Sequence, residues 1–508
     1  MGPVPPRRRR TVAVPLSLAA AAALAVVPSA ASAAPLEEPA SAAAAATAKG
    51  PVLSYVVNTT KNASAKAVKR AITKAGGTIV ASYDQIGVIV VHSADPGFAK
   101  TIRKVRGVHS AGATRTAPLK PVATTDIGET IKLDPAQARQ AAAEARRTPT
   151  ADEPLEALQW DLPAIKADQA HRKSLGSRKV TVGVIDTGVD DTHPDLAPNF
   201  DRKASVDCVG GVPDTSEGTW RPDPDGSDHG THVAGTIAAA RNGLGVAGVA
   251  PGVKVAAIKV SEPSSVLFFA EAVVCGFVWA AEHGIDVTNN SYYVDPWMFN
   301  CKADPDQKAL VEAVRRSTDY AERKGVVNVA AAGNSAFDLA ADSITDSSSP
   351  NDSTPVERTV DPSKCPDIPT QLPGVVTVSA TGPKNAKSFY SNYGFGVIDV
   401  AAPGGDSRVT PDAPAVNGRI LSTVLDGQYG YKQGTSMASP HVAGVAALLK
   451  STHPKASPAW IKAKLKAQAD NPGCPQGGTE PATCKGGKSY NGHFGHGIVD
   501  ALDAVEKR

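Results

Sequence analysis

The sequence predicts an α/β fold, a mostly parallel sheet with helices on both faces, preceded by a small α+β unit. Three observations carry this. Apolar runs without polar alternation recur at 180–185, 253–260, 285–287, 326–332, 375–378 and 397–400. Helical patterns about 10 to 15 residues long separate several of them, and such alternation buries both faces of a parallel sheet. Upstream, residues 52–114 carry a different order of shorter elements.

The chain opens with Arg7 to Arg10, an apolar stretch from Thr11 to Val27, and the small residues Ala31-Ser32-Ala33. That order is a secretory signal peptide over 1–33, so a secreted, extracellular protein is expected, exported by the general or the twin-arginine route. The stretch is rich in Ala, is followed by Pro28 and makes a poor membrane span. No stable membrane anchor is therefore expected. Lys plus Arg total 53 against 50 Asp plus Glu, and this balance offers no electrostatic footprint for nucleic acid.

Leu53 to Val57 reads as a strand, and 62–75 as a helix with Val68, Ile72 and Ala75 on one side. Gly76-Gly77 ends it. Strands at 78–82 and 86–91, a short helix at 96–105 and a strand at 107–113 complete a β-α-β-β-α-β order, the ferredoxin-like unit. That order alone assigns no role. Residues 115–154, rich in Pro, Ala and Gln, read as a linker in which 135–146 has helical potential. All six cysteines (Cys208, Cys275, Cys301, Cys365, Cys474, Cys484) follow residue 200. In an exported chain they favour disulfides, and only Cys474 with Cys484 is a locally plausible pair.

Ligands of open α/β sheets bind beyond the carboxyl ends of the strands, so chemistry is sought where apolar runs stop. The first run ends in Asp186-Thr187-Gly188. A carboxylate there can orient a histidine, bind a metal or begin a turn. Next comes Asp228-His229-Gly230-Thr231-His232, opening a small-residue helix; His229 suits a general base, whereas His232 lies one turn on, toward the packed side. The two histidines could also be a metal pair, but no H-E-x-x-H pattern follows. Gly434-Thr435-Ser436-Met437-Ala438-Ser439-Pro440-His441 places Ser436 at a helix N-terminus, where it either caps the helix or attacks beside stabilising N–H groups. Ser439 fits capping better, and His441 a packed position. Finally, the run 326–332 ends in Gly333-Asn334, a turn or an amide donor for a developing oxyanion.

Together, D-T-G, H-G-T-H-V-A-G-T, A-A-A-G-N and G-T-S-M-A-S-P-H-V-A-G, in this order, resemble the subtilisin-like serine protease family. The resemblance implies a peptidase domain over 155–508 with Asp186, His229 and Ser436 as triad and Asn334 in the oxyanion hole. It implies protein or peptide substrates, a monomer, and a zymogen whose unit at 52–114 is the chain's own inhibitor and folding aid, cut off between 114 and 154. It further implies a structural calcium ion on Gln159, Asp195 and the loop Ala240, Asn242, Leu244, Val246. No cofactor is needed for the chemistry. A catalytically silent binding protein on the same scaffold, or an esterase using the same serine, are the alternatives.

The primary specificity pocket would be walled by Ser291, Tyr292 and Tyr293 on one strand and Ala332 and Gly333 on the other. Where the family carries small residues, Tyr292 and Tyr293 stand. They are expected to narrow or reshape the pocket and to favour a small or unusual residue before the cut. The long insertion at 335–372, with Cys365 and several acidic residues, is expected to border the cleft.

Overall fold

A computed structural model of the protein describes residues 50–118, 129–147, 153–224, 226–263, 265–475 and 483–506. The expected signal peptide and the linker segments 119–128 and 148–152 lie outside the described residues.

The N-terminal unit pairs β1 (Leu53–Thr59), β2 (Thr78–Tyr83), β3 (Val88–Ser93) and β4 (Val108–Ala113) in the order β2-β3-β1-β4, with every pair antiparallel. The helix Ala65–Lys74 starts at Ser64, whose side chain accepts from the Ala67 N–H, and buries Val68 and Ile72. Alternate strand residues take opposite faces. Tyr55, Val57, Ile89 and Val91 pack with Val68, Ile72, Phe98 and Ile102 inside the unit. Val56, Val88 and Val90 share a core with Phe277, Leu310 and Val314 of the larger unit. Burial on both faces is why 88–91 reads Val-Ile-Val-Val without polar alternation.

Within the expected linker, β5 (Ile131–Lys132) and the helix Pro135–Arg147 are formed. Leu133 and Ala141 pack there against Leu155, Leu158, Val246, Leu421 and Tyr431.

The central sheet contains β6 (Thr181–Asp186), β7 (Val206–Asp207), β8 (Lys254–Lys259), β9 (Val287–Asn290), β10 (Val327–Ala331), β13 (Val376–Thr381) and β14 (Val400–Pro403). Its order is β14-β13-β10-β9-β6-β8-β7, parallel throughout. Each of the six apolar runs reaches a strand of it, 285–287 and 397–400 only at their last residues, Val287 and Val400; the two-residue β7 was not legible. The helices His229–Ala238 and Thr435–Thr452 cover one face, packing Val233, Ile237, Val442 and Val445 with Val182 and Val184. Ala270–Glu282 and Pro305–Arg323 cover the other, packing Phe277, Leu310 and Val314 with Ile185 and Ile258. The insertion holds the hairpin β11 (Ile344–Asp346) with β12 (Arg358–Val360). β15 (Ile420–Thr423) and β16 (Tyr429–Lys432) form a three-stranded sheet with β5.

Chain order reverses between β6 and β9, and at such switch points the carboxyl ends of neighbouring strands open a crevice. Asp186, Ser291 and Asn334 all stand at that edge. Three disulfides join Cys208 to Cys275, Cys301 to Cys365 and Cys474 to Cys484. The first two link positions 67 and 64 residues apart, so local spacing could not reveal them.

Candidate active site

Asp186 and His229 are wholly buried. The His229 Nδ1 lies 2.7 Å from Asp186 Oδ1, which also accepts the Thr187 N–H at 2.7 Å. The ring therefore keeps its proton on Nδ1, and Nε2 is left as an acceptor with no hydrogen-bond partner among the described residues. Gly230 lets the helix start press against the Asp186 turn: a Cβ there would lie 2.3 Å from Gly188 O and 3.2 Å from Asp186 Cβ. Thr187 Oγ1 accepts the Gly230 N–H at 3.0 Å and locks the two segments together.

His232 takes no part in this. Its Nε2 lies 3.1 Å from Ile420 O and 3.2 Å from Gly430 O, tying the helix to β15 and β16. Complete burial, reinforced by the charge of Lys432, pushes its pKa from 6.5 down to about 3. Because the folded value is depressed, the unfolded chain takes up the proton first. Stability from the neutral ring is complete above about pH 6.5 and is lost as pH falls toward 3. The melting temperature is expected to fall across that window, and to fall less steeply in His232→Gln; thermal denaturation at stepped pH measures both.

Ser436 lies in the first turn of Thr435–Thr452 and is nearly buried. Its Oγ donates to Ser291 O at 3.3 Å, so the nucleophile rests on a backbone carbonyl. Ser439 bonds Asn289 Oδ1 at 2.7 Å, and His441 lies between Met437 O and Asp161 at 2.7 and 3.0 Å; both are packing residues. The Asn334 Oδ1 accepts from Thr435 N and Thr435 Oγ1, each at 2.8 Å. This orients the amide so that its NH₂ is left to donate. Gly333 has φ 97°, and a Cβ there would meet Asn392 Nδ2 at 2.5 Å. Asn392 in turn binds Ala332 O, Ser335 N and Phe337 N at 2.8 to 3.0 Å, fixing the turn that carries Asn334. No local pattern in the sequence marks Asn392.

Beside Ser436 lies a cavity of about 300 Å³ whose lining includes Ser291, Tyr292, Tyr293, Ala331, Gly333 and Asn334. Ala332, expected in its wall, does not line it. Strand alternation turns that residue away into complete burial, and Ala331 takes its place. Tyr292 lies flat on Phe268, with ring centroids 4.7 Å apart and planes at 11°, and its hydroxyl donates to Asn290 Oδ1. The Tyr293 hydroxyl accepts from Asn351 Nδ2 at 2.9 Å. The two rings are held as walls of the cavity. Sequence reasoning missed Phe268, Asp295, Asp367 and Asn392, which also line it. The only sequence signal was the acidic insertion.

The residues expected to hold calcium come together but bind one another. Gln159 pairs through both amide atoms with Ala247 N and O at 2.9 Å. Asp195 Oδ2 accepts from Val246 N and Tyr429 OH at 3.0 Å, and Asp195 O accepts the Ala240 N–H at 2.8 Å. Asn242 bonds Leu244 N and Pro194 O, while Glu153 accepts the Gly243 and Leu244 N–H groups. A cation needs carbonyls and carboxylates turned toward it. Here donors face Asp195 Oδ2 and Arg241 pairs with Glu156, while Asp195 Oδ1 is buried with no hydrogen-bond partner among the described residues. Among the described residues, no three His, Cys, Asp or Glu side chains form a metal-binding group.

A serine at a helix start, an imidazole aligned by a buried carboxylate, and the switch point of a parallel sheet mark a serine hydrolase. The family model described as the subtilase family matches residues 177–497, most of the chain. The chain belongs to the subtilase family and is a subtilisin-like serine endopeptidase. It is 33% identical to subtilisin DY of Bacillus licheniformis over 314 residues, 62% of this chain and 92% of that protein. It is 34% identical to subtilisin Savinase of Lederbergia lenta over 321 residues, 63% of this chain and 93% of the relative. Among solved structures, the epidermin leader peptide processing serine protease EpiP of Staphylococcus aureus aligns with a TM-score of 0.63 at 22% identity, covering 90% of this chain and 99% of that one. Fervidolysin of Fervidobacterium pennivorans aligns at 0.60 and 23% identity, over 91% and 62%. At these identities the two structures speak for the fold alone.

Proposed function

We propose that the chain is an exported, self-inhibited serine endopeptidase acting through Ser436, His229 and Asp186. The single observation that carries this is the 2.7 Å bond from His229 Nδ1 to Asp186, which leaves Nε2 as the base. Rotation of Ser436 off the Ser291 carbonyl brings its proton to that base, and the alkoxide attacks a peptide carbonyl. His229 then gives the proton to the leaving amine, and water hydrolyses the acyl-enzyme by the reverse roles. Asn334 and the backbone at the helix start receive the oxyanion. A serine-reactive fluorophosphonate is expected to label the mature enzyme but not Ser436→Ala; labelling retained in that variant would sink the assignment. Asn334→Leu is expected to lower kcat on the order of 100- to 1,000-fold with little change in KM, as initial rates on one peptide would show.

Residues 52–114 serve in this reading as a removable inhibitor. Support comes from their contacts with the peptidase. Asn58 donates to Ala309 O, Arg103 pairs with Asp306, and Gly112 meets the backbone of Asp306 so closely that a Cβ would lie 2.5 Å away. Arg115, just past this unit, lies over Phe269 and pairs with the half-buried Glu262 and the buried Glu271, beside Phe268 of the cavity. Secreted wild type is expected to begin between 114 and 154, and secreted Ser436→Ala to keep the unit. N-terminal sequencing of both proteins reads the outcome, and identical processing of the two would refute self-cleavage.

A further inference from the structure

Two carboxyl groups, Asp295 and Asp367, line the cavity with Tyr293, and a third, Asp346, lies close enough to act on the same hydroxyl. Their partners differ. Asp346 is neutralised by Arg358. Asp295 has both oxygens occupied by amide donors, one from Asn351 at 2.6 Å and one from the Phe268 N–H at 2.5 Å. Asp367 is 3% exposed, its Oδ1 has no hydrogen-bond partner, and no cation pairs with it among the described residues. Its backbone is held by Gln371, whose Oε1 accepts the Asp367 N–H at 2.8 Å, so the side chain is fixed in the cavity wall. Burial alone drives its pKa well above the ordinary carboxylate value.

Left without water or partners, the group keeps its proton; an incoming cation favours the ionised form, the proton leaves to solvent, and a buried ion pair results. The cavity, about 300 Å³ and open beside Ser436, can admit a long unbranched side chain. The stacked Tyr292 and Phe268 offer a flat apolar wall to its methylenes. We propose that Asp367 makes this subtilase select Lys or Arg as the residue before the cut. This rests on reading the cavity as the specificity pocket of Ser436, and it gives the expected unusual preference a chemical identity. The carboxylate would act on the substrate's charge and take no part in acyl transfer.

The test is a series of p-nitroanilide peptides alike except for the last residue, Arg, Lys, Gln, Leu or Phe, assayed with the mature enzyme. Arg and Lys are expected to exceed the other three in kcat/KM on the order of 100-fold, the scale of a hydrogen-bonded charge. Asp367→Asn is expected to remove most of that margin, lowering kcat/KM for Arg and Lys far more than for Gln, Leu and Phe. Asp295→Asn, its oxygens already engaged, is expected to keep the preference. Leu or Phe equal to or above Arg in the wild type overturns the proposal, whatever the variants do. So does an Asp367→Asn that slows all five substrates alike, or an Asp295→Asn that alone abolishes the margin. Failure of the catalytic reading looks different, because the wild type would then not be labelled by fluorophosphonate at all.

Discussion

Ser436→Ala is expected to lower kcat about 10⁶-fold, and adding His229→Ala to lower it hardly further. The magnitude is that of subtilisin itself, in which loss of the serine or of the histidine costs about as much as loss of the whole triad. The non-additivity has a local reason. Among the described residues His229 Nε2 has no hydrogen-bond partner, so in the proposed mechanism its contribution is to take and return the proton of Ser436. Without the hydroxyl, the imidazole has nothing to activate. Single-turnover and steady-state rates on one peptide, for both single variants and the double, decide the matter. Losses that multiplied would show that His229 acts independently of the serine.

Asp186→Asn is expected to lower kcat about 10⁴-fold at neutral pH while leaving the fold intact. Asp186 Oδ1 accepts from both the ring and the Thr187 N–H. An asparagine amide meets both only with its oxygen in the Oδ1 place; turned the other way, its NH₂ faces two donors, and in either orientation the negative charge that favours the imidazolium is gone. If its NH₂ faces the ring, Nδ1 must become the acceptor and the proton moves to Nε2, where the base is needed. The burial of both side chains leaves no water to correct the mismatch. The melting temperature and the kcat of the variant should therefore part company. Retained activity would mean that another group orients His229.

Most of this architecture was legible because it is written in uninterrupted apolar runs. A parallel strand covered on both faces is apolar at nearly every position, so 180–185, broken by Thr181, and 326–332, broken by Asn328, announced themselves. The same rule announced where to look, since Asp186 and Asn334 are the first polar side chains after those runs. His229 and Ser436 were legible through the small residues around them. Gly230, for one, is dictated by the carbonyl of Gly188. The pocket was much less legible. Tyr292 and Tyr293 were visible, but whether an aromatic ring fills a cavity or walls it depends on partners such as Phe268 and Asn351, far off in sequence. Asp367 sat unread in an insertion whose fold depends on the link from Cys365 to Cys301. The site expected to hold calcium was legible in its ligand types, whereas Glu153, Glu156 and Tyr429, which set how its groups are turned, lie far in sequence from the residues they bond.

The small N-terminal sheet has one face that belongs to another part of the molecule. Val56, Val88 and Val90 are dry only while helices of the peptidase lie over them. On the proposed zymogen reading, cutting the connecting chain would leave those side chains to meet water and remove part of what holds the sheet together. A fragment so loosened would be a substrate for the enzyme it had restrained. Release would then be a ratchet: a brake used once, with activation running in one direction.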